Sequence, residues 1–309
     1  MPTPMLSRRH LLAAAATLPL TTALARPALA GAPMLGGSVA QFNRFRLGGF
    51  EVTALLAGTR TVDNPTEIFG LNADPAEFAA VSAANFLPTD RAQFFFTPTV
   101  VNTGAELVLF DTGLNPAGIT GALAAAGYAP DQIDVVVLTH MHGDHIGGLM
   151  GEGGATFANA RYITGSAEHN HWMGAGNEGF DKAVRPLNDQ IAFLDDGGTV
   201  ASGITAMAAP GHTPGHMAYM LESEGLGLLL GADFANHYVW SLGHPDWEVR
   251  FDMDKPTAAA TRRRVLGMLA ADRTPFIGYH MPFPAMGFVE AMGDGFRYVP
   301  ASYQMMLNG

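Results

Sequence analysis

Cysteine is absent from the 309 residues, so this chain can form neither a disulfide nor a thiolate metal site. Any metal it holds must sit on His, Asp or Glu, a donor set that suits zinc, with manganese, iron or cobalt as alternatives. Charge is sparse as well: 15% of residues are charged, 17 Lys and Arg against 28 Asp and Glu, for a formal net charge of −11. No long basic run occurs, which argues against nucleic acid as a partner. The longest apolar run near the start, Leu11 to Ala25, is short and rich in Ala and Thr, so no stable membrane anchor is expected. What the chain does have is apolar residues, 48% of the total, enough for a sizeable core and too many for a disordered chain.

Residues 1–30 read as an export signal. Arg8 and Arg9 form a twin-arginine pair, an apolar run follows, and Ala28-Leu29-Ala30 makes an A-x-A cleavage site after Arg26 and Pro27. The twin-arginine route is the reading adopted, with an ordinary secretory signal as the alternative. Cleavage would start the mature chain near Gly31 and, by removing three arginines and no acid, would take the formal charge to −14. A periplasmic or secreted location is therefore expected. Residues 31–45 read as a loose lead-in, and no later linker or repeat breaks the chain, so 46–309 is expected to be a single domain.

Alternation and turn residues predict strands in "FEVTALLAGT" and in "TPTVVNTGAELVLFDTG", the latter folded at Thr103-Gly104. "IDVVVLTH" reads as a fully buried strand. "ARYITG", "GITAMAAPGH", "HMAYMLES", "LGLLLGAD" and "TPFIGYH" read as further strands, and "GFVEAMGDGFRYVP" as a hairpin. Helices are expected in "AGITGALAAAGY", ended by Gly127, in "SAEHNHWM" with Ser166 as N-cap, and in "KPTAAATRRRVLGMLAAD". Two blocks of strands, each followed by helix, fit two packed sheets with helices outside.

The segment "LTHMHGDHIGG" places His140, His142, Asp144 and His145 directly after a buried strand. Residues two apart in extended chain point the same way, so His140 and His142 can share one metal. Gly143 permits a sharp turn that swings Asp144 and His145 toward a second point, and Gly147-Gly148 allows close approach as a helix begins. Further candidate ligands stand at later strand ends: His212 in "APGHTPGH", Asp233 in "LLLGADF" and His280 in "FIGYHMP".

The order HxHxDH, then His, Asp and His, resembles the metallo-β-lactamase superfamily, and "LFDTG" with Asp111 resembles an early signature of it. The resemblance implies an α/β (α+β) fold, a four-layer αββα sandwich, with two divalent metal ions at one edge. Carried over by position, His140, His142 and His212 would bind the first metal, and Asp144, His145 and His280 the second. Asp233 would bridge them together with a hydroxide, and Asp144 would help orient that nucleophile or move its proton, which makes Asp144 and Asp233 the expected catalytic residues. Asp111 and His216 would support the ligands from behind.

Within the superfamily, "FEVTAL", "THMHGDHIGGLM", "GHTPGH" and "GFRYVPASY" are similar to segments of the methyl parathion hydrolase, esterase and lactonase branch. That likeness implies a pocket lined by Trp172 and Phe180; Phe95, from "AQFFFTPT", and His237 are added as candidates. The substrate is expected to be a small, neutral, hydrophobic ester or lactone, with aryl phosphotriesters as a side activity. N-acyl homoserine lactones are the principal alternative, although Asn236 stands where many such lactonases carry tyrosine. A glutathione thioesterase is disfavoured because Arg297 is the only basic residue from Thr274 to Gly309. A β-lactamase, a mononuclear iron persulfide dioxygenase and an inactive metal-binding protein complete the alternatives. Arg250 and Asp252 are expected to pair structurally. His169, His171 and His244 are expected at the surface or pocket rim. A homodimer is expected.

Overall fold

The structure, a computed structural model, describes residue 34 and residues 36–307. The export-signal reading of residues 1–30 lies outside these. From Val39 onward the described residues form one compact unit. Among the described residues no helix is long and apolar enough to cross a membrane.

The chain enters the first sheet with β1 (Phe42–Leu47) and β2 (Phe50–Leu55), so the first strand among the described residues starts inside the segment expected to be loose. It then leaves for a separate hairpin, β3 (Gly58–Asp63) and β4 (Arg91–Phe96), whose connection carries helix α1 (Pro75–Ala84). β5 (Thr99–Asn102), β6 (Leu107–Phe110), helix α2 (Pro116–Ala125) and β7 (Val135–Leu138) follow. Next come the short helix α3 (Gly143–Ile146), the ribbon of β8 (Met150–Gly151) and β9 (Gly154–Ala155), β10 (Arg161–Gly165), helices α4 (Ser166–Gly174) and α5 (Glu178–Ala183), and β11 (Ile191–Leu194). The second sheet contains β12 (Thr199–Ala201), β13 (Ile204–Ala208), β14 (Met217–Ser223) and β15 (Leu226–Ala232). After helices α6 (Trp240–Gly243) and α7 (Lys255–Asp272), it is completed by β16 (Phe276–Gly278), β17 (Met286–Met292) and β18 (Gly295–Pro300).

The first sheet runs β1-β2-β5-β6-β7-β10-β11 and the second β12-β13-β14-β15-β16-β17-β18. Side chains alternate across a strand, so each buried strand feeds two cores. Val135 and Val137 of β7 join the cluster between the sheets, with Ile204, Tyr219 and Leu230 of the second sheet. Val136 and Leu138 face the other way, onto Ile119 and Leu123 of α2 and Phe180 of α5. Val265, Leu266 and Leu269 of α7 pack with the second sheet. Helix, sheet, sheet and helix thus form the αββα sandwich expected from the sequence. A third cluster, Phe69, Phe78, Phe94, Phe96, Trp240 and Trp247, joins the β3–β4 hairpin to α1 and α6; α1 and the hairpin were not anticipated.

Two details of the ligand segment differ from expectation. Gly147-Gly148 ends α3 rather than opening a helix, with Gly147 as its C-cap. Ser166 is the first residue of α4 and not its N-cap; its hydroxyl donates to the Leu194 carbonyl. The need for glycine after α3 is steric. A Cβ on Gly148 would stand 2.1 Å from the Thr112 carbonyl oxygen and 2.8 Å from Ile119 Cγ2. Because the nearest atom is backbone, it has little freedom to yield. Gly148→Ala is therefore expected to destabilise the protein by about 1–3 kcal/mol, the usual cost of overpacking, read as a lower urea midpoint. An unchanged midpoint would show that the Thr112 loop can move aside.

Candidate metal centre

Strand ends bring the candidate ligands together. His140, His142, Asp144 and His145 follow β7, His212 and His216 lie between β13 and β14, Asp233 follows β15, and His280 follows β16. All seven expected ligands converge. His140, His142 and His212 form one group, and Asp144, His145, Asp233 and His280 a second, each with its donor atoms within 4.8 Å of one another. In the first group His142 Nδ1 lies 3.1 Å from His140 Nε2 and 2.9 Å from His212 Nε2. In the second, His280 Nε2 lies 3.3 Å from Asp144 Oδ2 and 3.1 Å from Asp233 Oδ2, while His145 Nε2 lies 3.4 Å from Asp233 Oδ1. Asp233 Oδ2 is also 3.4 Å from His212 Nε2, so this carboxylate touches both groups.

The far side of each ring fixes its orientation. His145 Nδ1 donates to Asp111 Oδ2 at 2.8 Å, and His212 Nδ1 to Asp252 Oδ1 at 2.9 Å. His280 Nδ1 donates to the Phe95 carbonyl at 2.8 Å. His140 Nδ1 donates to Thr139 Oγ1 at 3.1 Å, whose own hydroxyl donates to Asp111. With hydrogens on Nδ1, these four rings turn their Nε2 atoms toward the centre. His142 Nδ1 can donate to only one of the two lone pairs turned toward it, whereas a shared cation satisfies all three nitrogens. His145 Nε2 and Asp233 Oδ1 are buried without any hydrogen-bond partner. Orphaned buried donors and acceptors are costly. An all-nitrogen group beside a carboxylate-rich group, with these orphans at the centre, fits two divalent metal ions.

The electrostatics divide along the same line. Burial, reinforced by its histidine neighbours, holds His140 well below the usual imidazole range and His142 at about 3, so both are neutral lone-pair donors. Burial would also lower His280, but the Asp233 and Asp144 carboxylates outweigh it and hold that ring up at about 10. Burial opposes the charge of His145 too, and Asp233, Asp111 and Asp144 together raise it well above its ordinary value. Burial alone would raise Asp233; His280 and His145 reverse this and keep it ionised.

Asp111 and His216 stand where expected. Asp111 accepts from the Thr139 amide as well as from Thr139 Oγ1 and His145, and this network holds its backbone at φ 61°, a region disfavoured for a residue with a Cβ. His216 Nε2 accepts from the Asp233 amide at 3.0 Å.

The expected pocket residues are elsewhere. The cavity over the ligands, about 540 Å³, is lined by Phe94, Phe96, Leu114, Phe251, Arg60 and Arg250 together with His142, Asp144, His212, Asp233 and His280. Phe180 is fully buried in the outer core of the first sheet, where α5 packs. Trp172 is buried in the same core, its indole donating to Glu168 at 2.7 Å and its ring standing edge-on to His142. Phe95 projects from the opposite face of β4, because side chains alternate along a strand. With His237 it lines a second cavity of about 460 Å³. His237 Nδ1 accepts from the amides of Val239 and Trp240, and its ring stacks on Trp240. His169 is buried against Asn188, not at the surface. His244 stacks on Trp247.

Arg250 and Asp252 do not pair. Asp252 accepts from Arg262 Nη1 at 2.8 Å, both groups fully buried, and Arg250 instead lies over the Phe251 ring in the wall of the cavity. The largest feature missed in the sequence is Glu168. Its buried carboxylate accepts from the Met141 amide (2.9 Å), Trp172 Nε1 (2.7 Å), Thr213 Oγ1 (2.7 Å) and the Gly215 amide (2.9 Å). It thereby ties the ligand loop of one sheet to that of the other. Nothing local in "SAEHNHWM" signals this, since three of the four donors lie in distant segments.

Residues 97–274, more than half of the chain, match the family described as the metallo-beta-lactamase superfamily. The N-acyl homoserine lactonase of Bacillus cereus is 29% identical over 112 residues, which is 36% of this chain and 42% of the lactonase. Lactamase-like protein notP of Aspergillus sp. (strain MF297-2) is 30% identical over 164 residues, 51% of this chain and 45% of that protein. The chain thus spans less than half the length of the curated relatives it matches. Among solved structures, AidC, a dizinc quorum-quenching lactonase in complex with a product, superposes with a TM-score of 0.79 at 27% identity, over 85% of this chain and 98% of that one. The hydrolase AbOPH shares the fold, with a TM-score of 0.79 at 23% identity.

Two variants test the supporting carboxylates. Glu168→Gln forces an amide against one pair of donors and should cost about 2–4 kcal/mol in urea unfolding; a neutral effect would mean the loops are held by other contacts. Asp252→Asn weakens the acceptor behind His212 and should lower metal affinity roughly 10–100-fold in competition with a chromophoric chelator. Unaltered affinity would show that Asp252 serves Arg262 alone.

Proposed function

Because the chain belongs to the metallo-beta-lactamase superfamily, we propose that it is a dinuclear metal-dependent hydrolase of esters or lactones. The observation that carries this reading is the convergence of two donor groups, one all-histidine and one with two carboxylates, on the floor of an aromatic-walled cavity. His140, His142 and His212 would hold one ion, Asp144, His145 and His280 the other, and Asp233 would be shared. Zinc is the metal of choice for such a nitrogen and carboxylate set. When bound, two such ions bring the pKa of a coordinated water toward neutrality and polarise the substrate's carbonyl oxygen.

The chain's own residues supply the remainder. Asp144 is the carboxylate open to the cavity, with its side chain 22% exposed against 4% for Asp233. It is therefore placed to take a proton from the attacking water and return it to the departing oxygen. Phe94, Phe96 and Phe251 exclude water and offer an apolar wall to the acyl or leaving group. Similarity to lactonases over part of the chain favours an acylated lactone among the candidate substrates, and the aromatic wall also admits aryl phosphotriesters as a side reaction. We place the mature protein in the periplasm or outside the cell, on the strength of the Arg8-Arg9 segment and its A-x-A site.

Purified protein should carry about two metal equivalents per chain, falling sharply in His142→Ala and Asp233→Ala. A panel of para-nitrophenyl esters and N-acyl lactones should show turnover abolished by chelator and restored by zinc. Absence of chelator-sensitive turnover on every ester and lactone would overturn the hydrolase reading in favour of a metal-binding protein.

A further inference from the structure

The cavity wall departs from the expectation of a neutral substrate. Two guanidinium groups, Arg60 and Arg250, line the same cavity as the metal-binding side chains. Both residues are exposed, and neither has a carboxylate partner among the described residues. Seven of the twelve described arginines, Arg44, Arg91, Arg161, Arg185, Arg262, Arg263 and Arg297, are paired with an acid; of the five that are not, only Arg60 and Arg250 line this cavity.

Their placement is built rather than incidental. Arg60 stands opposite Phe94 in the β3–β4 register and shares its cavity-facing side, with Gly58 opposite Phe96. Arg250 lies over the Phe251 ring, 5.1 Å from its centroid, and Phe251 in turn meets Phe94 edge to face. Aromatic contact steadies a guanidinium while leaving its N–H edge free to donate. Two unpaired cations on an aromatic rim, in a chain with a net charge of −11, concentrate attraction for an anion at this one opening. Guanidinium forks match planar or tetrahedral oxyanions.

We propose that Arg60 and Arg250 read an oxyanion on the substrate, so that the preferred ester or lactone bears a carboxylate or phosphate remote from its scissile bond. This rests on the hydrolase reading above, in which the carbonyl lies at the metal end of the cavity and the charged tail at its mouth. Both arginines act in binding; neither is placed at the reacting atoms.

The test compares three esters of equal length: para-nitrophenyl hexanoate, the para-nitrophenyl monoester of adipic acid, and its phosphonate-terminated counterpart. For the metal-loaded protein, kcat/KM for a charged ester should exceed that for hexanoate by roughly tenfold, and the ratio should shrink as salt rises from about 0.02 M to about 0.5 M. The larger of the two charged-ester values identifies the oxyanion. In the double variant Arg60→Gln, Arg250→Gln the ratio should fall to near one through a higher KM for the charged ester, with metal content and far-UV spectrum as the check on folding. Calorimetric titration with glutarate and with butyrate gives a readout free of turnover: the preference for glutarate should vanish in the variant. Equal kcat/KM for charged and neutral esters, or a preference that survives the double substitution, would overturn the proposal. If no ester is hydrolysed but the arginine-dependent glutarate preference remains, the hydrolase reading fails and the oxyanion rim stands.

Discussion

Glu168 is the interaction on which the geometry of the centre depends. A carboxylate with no exposure to water survives only if its oxygens are fully solvated by donors, and here four donors from three parts of the chain do this. Met141 belongs to the ligand loop after β7, Trp172 to the helix that carries Glu168 itself, and Thr213 and Gly215 to the loop that carries His212. The ligands come from both sheets of a sandwich, and sandwiches tolerate sliding of one sheet over the other. A buried anion shared by the two loops removes that freedom at the point where tenths of an ångström matter to ligand convergence. Gly215 is part of the same device: a Cβ there would meet the Glu168 amide nitrogen at 2.0 Å.

Around this clamp the centre is organised by charge. In the three-histidine group burial and the neighbouring rings keep His140 and His142 neutral. The other group gathers Asp144, Asp233 and, behind His145, Asp111, so it favours positive charge at its middle. Asp252, pinned by Arg262, performs for His212 what Asp111 performs for His145. Each anchoring carboxylate fixes a tautomer as well as a position, because its ring must donate from Nδ1 to satisfy it. Strain accompanies the arrangement: Asp111 and Ala232, adjacent to the ligand strand ends, both hold positive φ without being glycine.

The walls of the site follow a simpler rule. Phe94, Phe95 and Phe96 are consecutive on β4, so the first and third share a face and the second takes the other. Two cavities therefore lie on opposite faces of the hairpin, with His280 lining both. Trp172 and Phe180 were expected beside the substrate from the likeness to the methyl parathion hydrolase branch. Their helices pack their apolar faces onto the first sheet, and the large rings go with them.

Most of the ligand set was legible in the sequence because metal coordination demands particular side chains at strand ends, and strands buried on both faces are apolar runs that end abruptly. His140, His142, Asp144, His145, His212, Asp233 and His280 each stand at such an end, and periodicity was enough to find β7, β10, β15 and α7. The αββα arrangement came from the family likeness carried by the same residues. What only the tertiary structure decided were the relations between distant segments: Glu168 with Thr213, Asp252 with Arg262 rather than Arg250, and Arg60 and Arg250 brought to the wall of one cavity. Local pattern encodes which way a side chain faces along its own strand or helix, but not which foreign loop stands opposite it. That is settled when two sheets close on each other and every buried charge must find its partner.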